Sequence, residues 1–127
     1  MPKYYTPKEA NILLETVRPM VGELVRIGER IRENQPELWA VAEKSAGNGG
    51  NPALSKMLPD FDRLDSILHQ LQDMQIEVRD ISIGLIDFPG VKDGREICLC
   101  WKYNEDSIQF WHEIEAGFAG RRPIDWE

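Results

Sequence analysis

Ala10, Leu13, Val17, Met20, Leu24, Ile27 and Ile31 recur at alternating steps of three and four, widened by Leu14 and Val21. No other feature of this 127-residue chain constrains its fold as tightly, because such a stripe is a helix face that must be buried against something. The helix start is written just before it. Thr6 can cap, Pro7 suits the first turn, and Glu9 completes a capping box three residues on. Pro19 falls on the outer side, whereas Pro36 removes a backbone donor and kinks or interrupts the helix. The phase nevertheless continues through Leu38 and Val41, so the spacing predicts one kinked helix over 7–45, with a break at 34–36 as the alternative. Gly47 to Asn51 then reverse the chain, and Asn51 with Pro52 supplies a new cap and first turn. Leu54, Met57, Phe61, Leu64, Leu68 and Leu71 repeat the heptad with Pro59 outward, predicting a second helix over 52–74. At about 1.5 Å per residue the helices would span about 55 and 35 Å, leaving the N-terminal half of the first for another element to cover.

The apolar period changes from helical to two at Ile81, Ile83 and Leu85, then at Ile97, Leu99, Trp101 and Tyr103, and again at Ile108 and Phe110. This alternation predicts an antiparallel sheet over 81–114, with a loop at Pro89–Gly94, a short turn at Asn104 and Glu105, and an irregular tail over 115–127. The expected architecture is therefore α+β: a long antiparallel helical hairpin followed by a small three-stranded sheet packed on the N-terminal helix. A hydrophobic content of 42% suits a single domain over 1–127.

Composition narrows the function classes. A net charge of −7 opposes association with nucleic acid or an anionic membrane, and the basic pair Arg121–Arg122 is too short to outweigh it. No run approaches the ~18 apolar residues of a membrane span, and Met1 to Thr6 lack the regions of a signal peptide, so the expected location is cytoplasmic. Cys98 and Cys100 point to one side of a strand and read as reduced thiols. With His112 assigned to the opposite sheet face, no metal site is expected. There is also no nucleophile elbow or phosphate-cradling glycine loop, hence no expected cofactor.

Three polar residues fall at apolar strand positions. Asp87 follows Leu85, Arg95 precedes Ile97, and His112 continues Ile108 and Phe110. Two readings stand side by side. In one, Asp87 and Arg95 form an ion pair and His112 donates to a backbone carbonyl. In the other, the trio lines a pocket in which Arg95 binds an anionic group and His112, tuned by Asp87, exchanges a proton. Trp111 and Glu113 are assigned to a second face with Ile86, Phe88, Cys98 and Cys100. That face is covered by the tail or a second chain, or it forms an aromatic ligand groove. The Gly117–Arg122 segment is either an anion-binding turn in which Arg121 supplies charge or a docked tail pinned by Phe118 and Trp126. The functional expectation is a non-enzymatic, homo-oligomeric binding or assembly protein. The alternative is a small enzyme with His112 as acid or base, Asp87 as its orienting carboxylate, and Arg95 or Arg121 holding a small anionic substrate.

Several segments also carry a resemblance: Thr6-Pro7-Lys8-Glu9-Ala10-Asn11, the glycine-rich turn, Gly84-Leu85-Ile86-Asp87-Phe88-Pro89 and Gly94-Arg95-Glu96-Ile97. With them go Leu99-Cys100-Trp101, Trp111-His112-Glu113 and Gly117-Phe118-Ala119-Gly120-Arg121. Together they resemble the domain of unknown function 2203 family over nearly the whole chain, with Gln75 standing where that resemblance leads one to expect glycine. The resemblance supports the fold and the choice of residues, and implies no known activity.

Overall fold

The computed structural model describes residues 3–48 and 58–126. Helix α1 runs Pro7–Asn34, a 3-10 turn Pro36–Leu38 follows, then α2 (Trp39–Asn48) and α3 (Pro59–Asp73), with a second 3-10 turn at Phe118–Gly120. Strands β1 (Glu77–Asp80), β2 (Leu85–Lys92), β3 (Arg95–Lys102), β4 (Phe110–Glu113) and β5 (Arg122–Pro123) form one antiparallel sheet in sequence order. Among the described residues no helix is long and apolar enough to cross a membrane.

The start of α1 forms as its sequence dictates. Thr6 Oγ1 accepts from the Glu9 amide at 3.1 Å, and Glu9 Oε1 accepts from the Thr6 amide at 2.9 Å. Its far end departs from the single kinked helix over 7–45. Pro36 cannot continue the hydrogen-bond ladder, so α1 stops at Asn34 and a separate α2 follows the 3-10 turn. The second helix also differs from its expected span. Pro59 occupies its first turn instead of an outward mid-helix position, which suits a residue without an amide donor. Of the expected reversal at Gly47–Asn51, Gly47 and Asn48 still belong to α2, whereas 49–51, the cap at Asn51–Pro52 and the heptad positions Leu54 and Met57 lie outside the described residues. Helix α3 ends in a Schellman motif, with Ile76 N bonded to Leu71 O at 3.0 Å and Gln75 N to Gln72 O at 2.8 Å. Gln75 itself takes φ 62, the conformation glycine commonly supplies.

The sheet has five strands rather than three, and its register differs from the expected one. Ile81–Gly84 is a turn, not the start of a strand. Gly84 adopts φ 64 there, and a Cβ on it would lie 2.7 Å from Tyr103 Cβ and 2.8 Å from Val21 Cγ1. β2 continues through the expected loop at Pro89 to a two-residue hairpin at Asp93 and Gly94, whose φ values of 53 and 76 are those of the turn that matches strand twist. Pro89 is tolerated in a paired strand because its missing donor faces beyond the end of β1. On that side its carbonyl accepts from the Tyr5 amide at 2.8 Å. Ile108 lies before β4 and is held by a side chain instead: Asn11 Oδ1 accepts from its amide at 2.7 Å, and Asn11 Nδ2 donates to its carbonyl at 3.2 Å.

Residues directly opposite one another in a ladder share a face. The pairs Ile86–Trp101, Phe88–Leu99, Leu99–Trp111 and Ile97–Glu113 define the inner face. Its apolar members join the α1 seam, Phe61, Leu64 and Leu71 in one buried cluster. The seam positions Ala10, Leu14, Val17, Val21, Leu24, Ile27 and Ile31 are all buried within the chain. The half of the first helix left unpaired by the helical repeat is thus covered by the same chain's sheet. The pairs Asp87–Cys100 and Cys98–His112 lie on the outer face.

Candidate functional site

The outer face is where the polar residues gather. Asp87 on β2, Cys98 and Cys100 on β3, and His112 on β4 project from it, with Asp87 and His112 diagonal to each other across the central strand. Asp87 and His112 are only 3% and 2% exposed. His112 Nε2 lies 3.0 Å from Asp87 Oδ1, and its Nδ1 lies 2.7 Å from the carbonyl oxygen of Glu113. Arg79, from β1, donates Nε to Asp87 Oδ2 at 2.8 Å and contacts Glu77 through Nη2, also at 2.8 Å. Each buried polar atom of the pair is thereby met, as burial demands.

The His112 hydrogen bonds constrain its protonation. A backbone carbonyl only accepts, so Nδ1 carries a hydrogen. In a neutral ring Nε2 would then present a lone pair to a carboxylate oxygen, an arrangement that needs a proton or another cation between the two atoms. The thiols beside the pair are electrostatically quiet. Burial, reinforced by the charge of Asp87, pushes Cys98 up to about 11 and Cys100 up to about 12. Both are free and buried. One oxygen of Asp87, one nitrogen of His112 and Cys100 Sγ all lie within 4.8 Å of one another.

The C-terminal segment closes one flank of this face. Arg121 places its guanidinium 4.2 Å from the Phe110 ring centre and 4.8 Å from that of Phe118. It donates Nη2 to Glu105 Oε1 at 2.6 Å, while its Nε is buried without a partner among the described residues. On the other flank Asp87, Arg79 and Cys98 line a cavity of about 140 Å³. That cavity shares Tyr4, Gln75, Glu77, Arg79, Pro89 and Glu96 with a cleft of about 690 Å³. The phenol of Tyr4 donates to Glu96 across this cleft.

The expected trio is therefore split. Asp87 and His112 meet, but Arg95 stands on the inner-face parity, half exposed, and pairs with Glu113 at 3.1 Å. The one-residue register difference that separates Arg95 from Asp87 also corrects the assignment of the cysteines, which share a face with His112 and not with Trp111. Trp111 is buried on the inner face, 5.7 Å from Trp126 in an edge-to-face contact, with Lys92 and Arg122 over its ring. The ligand-binding set Arg95, Trp111, Glu113 and Arg121 does not converge on one site. Arg79 escaped sequence reasoning because β1, Glu-Val-Arg-Asp, lacks apolar alternation and reads as a polar connection. The available signal was Ile76 and Val78, apolar residues two apart ahead of Ile81.

The model of one family, described as an uncharacterized conserved protein (DUF2203), matches residues 3–124. No curated protein and no solved structure matches the chain.

Proposed function

This chain belongs to the DUF2203 family, and we propose that it works as a small-ligand binding protein rather than through His112 as a general acid or base. One observation carries the reading. Both ring nitrogens of a 2% exposed imidazole are already engaged, so no nitrogen is left to exchange a proton with a substrate. Asp87, in contrast, lines a cavity continuous with the cleft and is reached beside Arg79.

The charge of that cleft selects the ligand class. Among the described residues that line it Arg79 is the cation, and Asp87 and Glu77 pair with it. Glu96 adds a further carboxylate to the lining, to which Pro89 and Ile76 contribute apolar surface. Among the described lining residues the excess is negative, and a small cationic molecule suits it, opposite in sign to the anionic ligand that Arg95 and Arg121 lead one to expect from the sequence. The test is a titration of isotope-labelled protein with putrescine and, separately, with citrate. Putrescine is expected to move the amide resonances of Gln75, Glu77, Arg79 and Glu96, with affinity falling at least fivefold in Glu96→Gln. Movement of the same residues by citrate, or by neither probe, would overturn the proposal.

A second reading, self-association, rests on the apolar residues beside the outer face: Val91, Ile114 and Phe118 are 45%, 50% and 42% exposed. Light scattering over a tenfold concentration range should then report a dimer or larger species. A monomer throughout would end it.

A further inference from the structure

We infer that Asp87, Cys100 and His112 form a binding site for one divalent transition-metal ion of borderline softness, of the class of zinc or cobalt(II), distinct from the cleft proposed to hold a cationic small molecule. The three side chains are 3%, 1% and 2% exposed and come from three neighbouring strands. Their donor atoms, one carboxylate oxygen, one sulfur and one imidazole nitrogen, lie within 4.8 Å of one another.

The way the ligands are held suits an ion. His112 is oriented as a metal ligand is: its Nδ1–H is held by the Glu113 carbonyl at 2.7 Å, which turns the Nε2 lone pair inward. Nε2 lies 3.0 Å from Asp87 Oδ1, so a ring nitrogen and a carboxylate oxygen already converge on one point beside Cys100 Sγ. Arg79 on Asp87 Oδ2 at 2.8 Å is the supporting contact that keeps the other carboxylate oxygen pointed at the ion. A nitrogen and an oxygen on a tetrahedral zinc stand roughly 3.3 Å apart, so the pair needs to open by only a few tenths of an ångström.

The donor set chooses the metal. A thiolate with an imidazole disfavours magnesium and calcium, which take oxygen ligands, and fits zinc or cobalt. With one carboxylate and one thiolate, a divalent ion leaves the buried site electrically neutral, which removes the cost of sealing unbalanced charge. Binding displaces the thiol proton of Cys100, because the thiolate is the ligand.

The test is titration of chelator-treated, full-length protein with cobalt(II), read by its thiolate-to-metal charge-transfer absorption. One equivalent should saturate the band. Cys100→Ser should abolish it, Asp87→Asn and His112→Gln should weaken binding at least tenfold, and Cys98→Ser should leave the band in place. No saturable band in the wild-type protein, or a band lost in Cys98→Ser and kept in Cys100→Ser, would overturn the assignment. Zinc should displace cobalt stoichiometrically and raise the melting temperature of the wild-type chain, a readout independent of whether any variant folds. Absence of that rise would count equally against the site. Glu96→Gln should bind cobalt normally, which separates failure of this site from failure of the cleft.

Discussion

The two faces of the sheet are buried to similar degrees by different means. On the inner face Ile86, Phe88, Leu99 and Trp101 are at most 1% exposed and meet apolar helices. On the outer face Asp87, Cys100 and His112 are at most 3% exposed and meet one another, Arg79 and backbone. Burial of apolar surface is favourable in itself, at about 25 cal/mol per Å², and is indifferent to direction. Burial of a carboxylate and an imidazole is unfavourable until each polar atom has a partner. The inner face should therefore respond to lost volume and the outer face to lost pairing. The largest test of that contrast is Trp101→Ala. It opens a cavity beneath Tyr103 and removes the indole hydrogen bond to the Glu105 carbonyl at 2.9 Å. A loss of about 3–5 kcal/mol is expected in urea unfolding followed by far-ultraviolet circular dichroism. A loss below about 1 kcal/mol, the range of surface changes, would show that the inner face is not the core.

On the outer face the expected pattern is non-additive. Asp87→Ala leaves His112 buried beside no acceptor for Nε2, and should cost about 3 kcal/mol in metal-free protein. Arg79, whose side chain is 42% exposed, can turn to water and adds little. Removing both partners in Asp87→Leu/His112→Leu takes away the need for pairing and should cost less than Asp87→Ala alone. A double variant whose loss equals the sum of its two single variants would mean that the residues do not act as a pair. The distinction between the faces would then fail.

The contrast also explains what could be read in advance. The capping box at Thr6 and Glu9 and the α1 seam are local patterns with one-sided burial, and both appear where their spacing predicts, with Leu13 and Met20 half-buried at the margin of the seam. β2 was harder because its first four residues, Leu85, Ile86, Asp87 and Phe88, are all buried, so no alternation separates its faces. The parity carried forward from Ile81 and Ile83 enters a turn at Gly84, and the hairpin at Asp93–Gly94 sets the pairing independently of it. Asp87 and His112 survive that difference because both shift to the outer face together. Arg95 and the two cysteines keep their faces, so Arg95 loses the pair as a neighbour and the cysteines gain it. Arg79 and β5 had no apolar signature to offer, since β1 pairs through backbone and β5 comprises only Arg122 and Pro123.

The smallest effect concerns the segment that closes the outer face. Burial pushes the Glu105 carboxyl up, but the Arg121 guanidinium and the Lys102 amide together hold it below its ordinary value. A carboxyl whose value is lowered by folding contributes stability above its unfolded value, near 4.5, and loses that contribution as pH falls through the folded one. Glu105→Gln should accordingly cost about 1 kcal/mol at pH 7, because both side chains are largely but not fully screened from water. The cost should shrink below pH 4, where the wild-type carboxyl also takes up its proton. Urea unfolding of both proteins at pH 7 and pH 3 measures the difference. A penalty equal at the two values would make Glu105 a neutral hydrogen-bond acceptor rather than the ionic clasp of the tail. Phe110 and Phe118 would then hold Arg121 without it, and the outer face would be closed by the same apolar packing as the inner one.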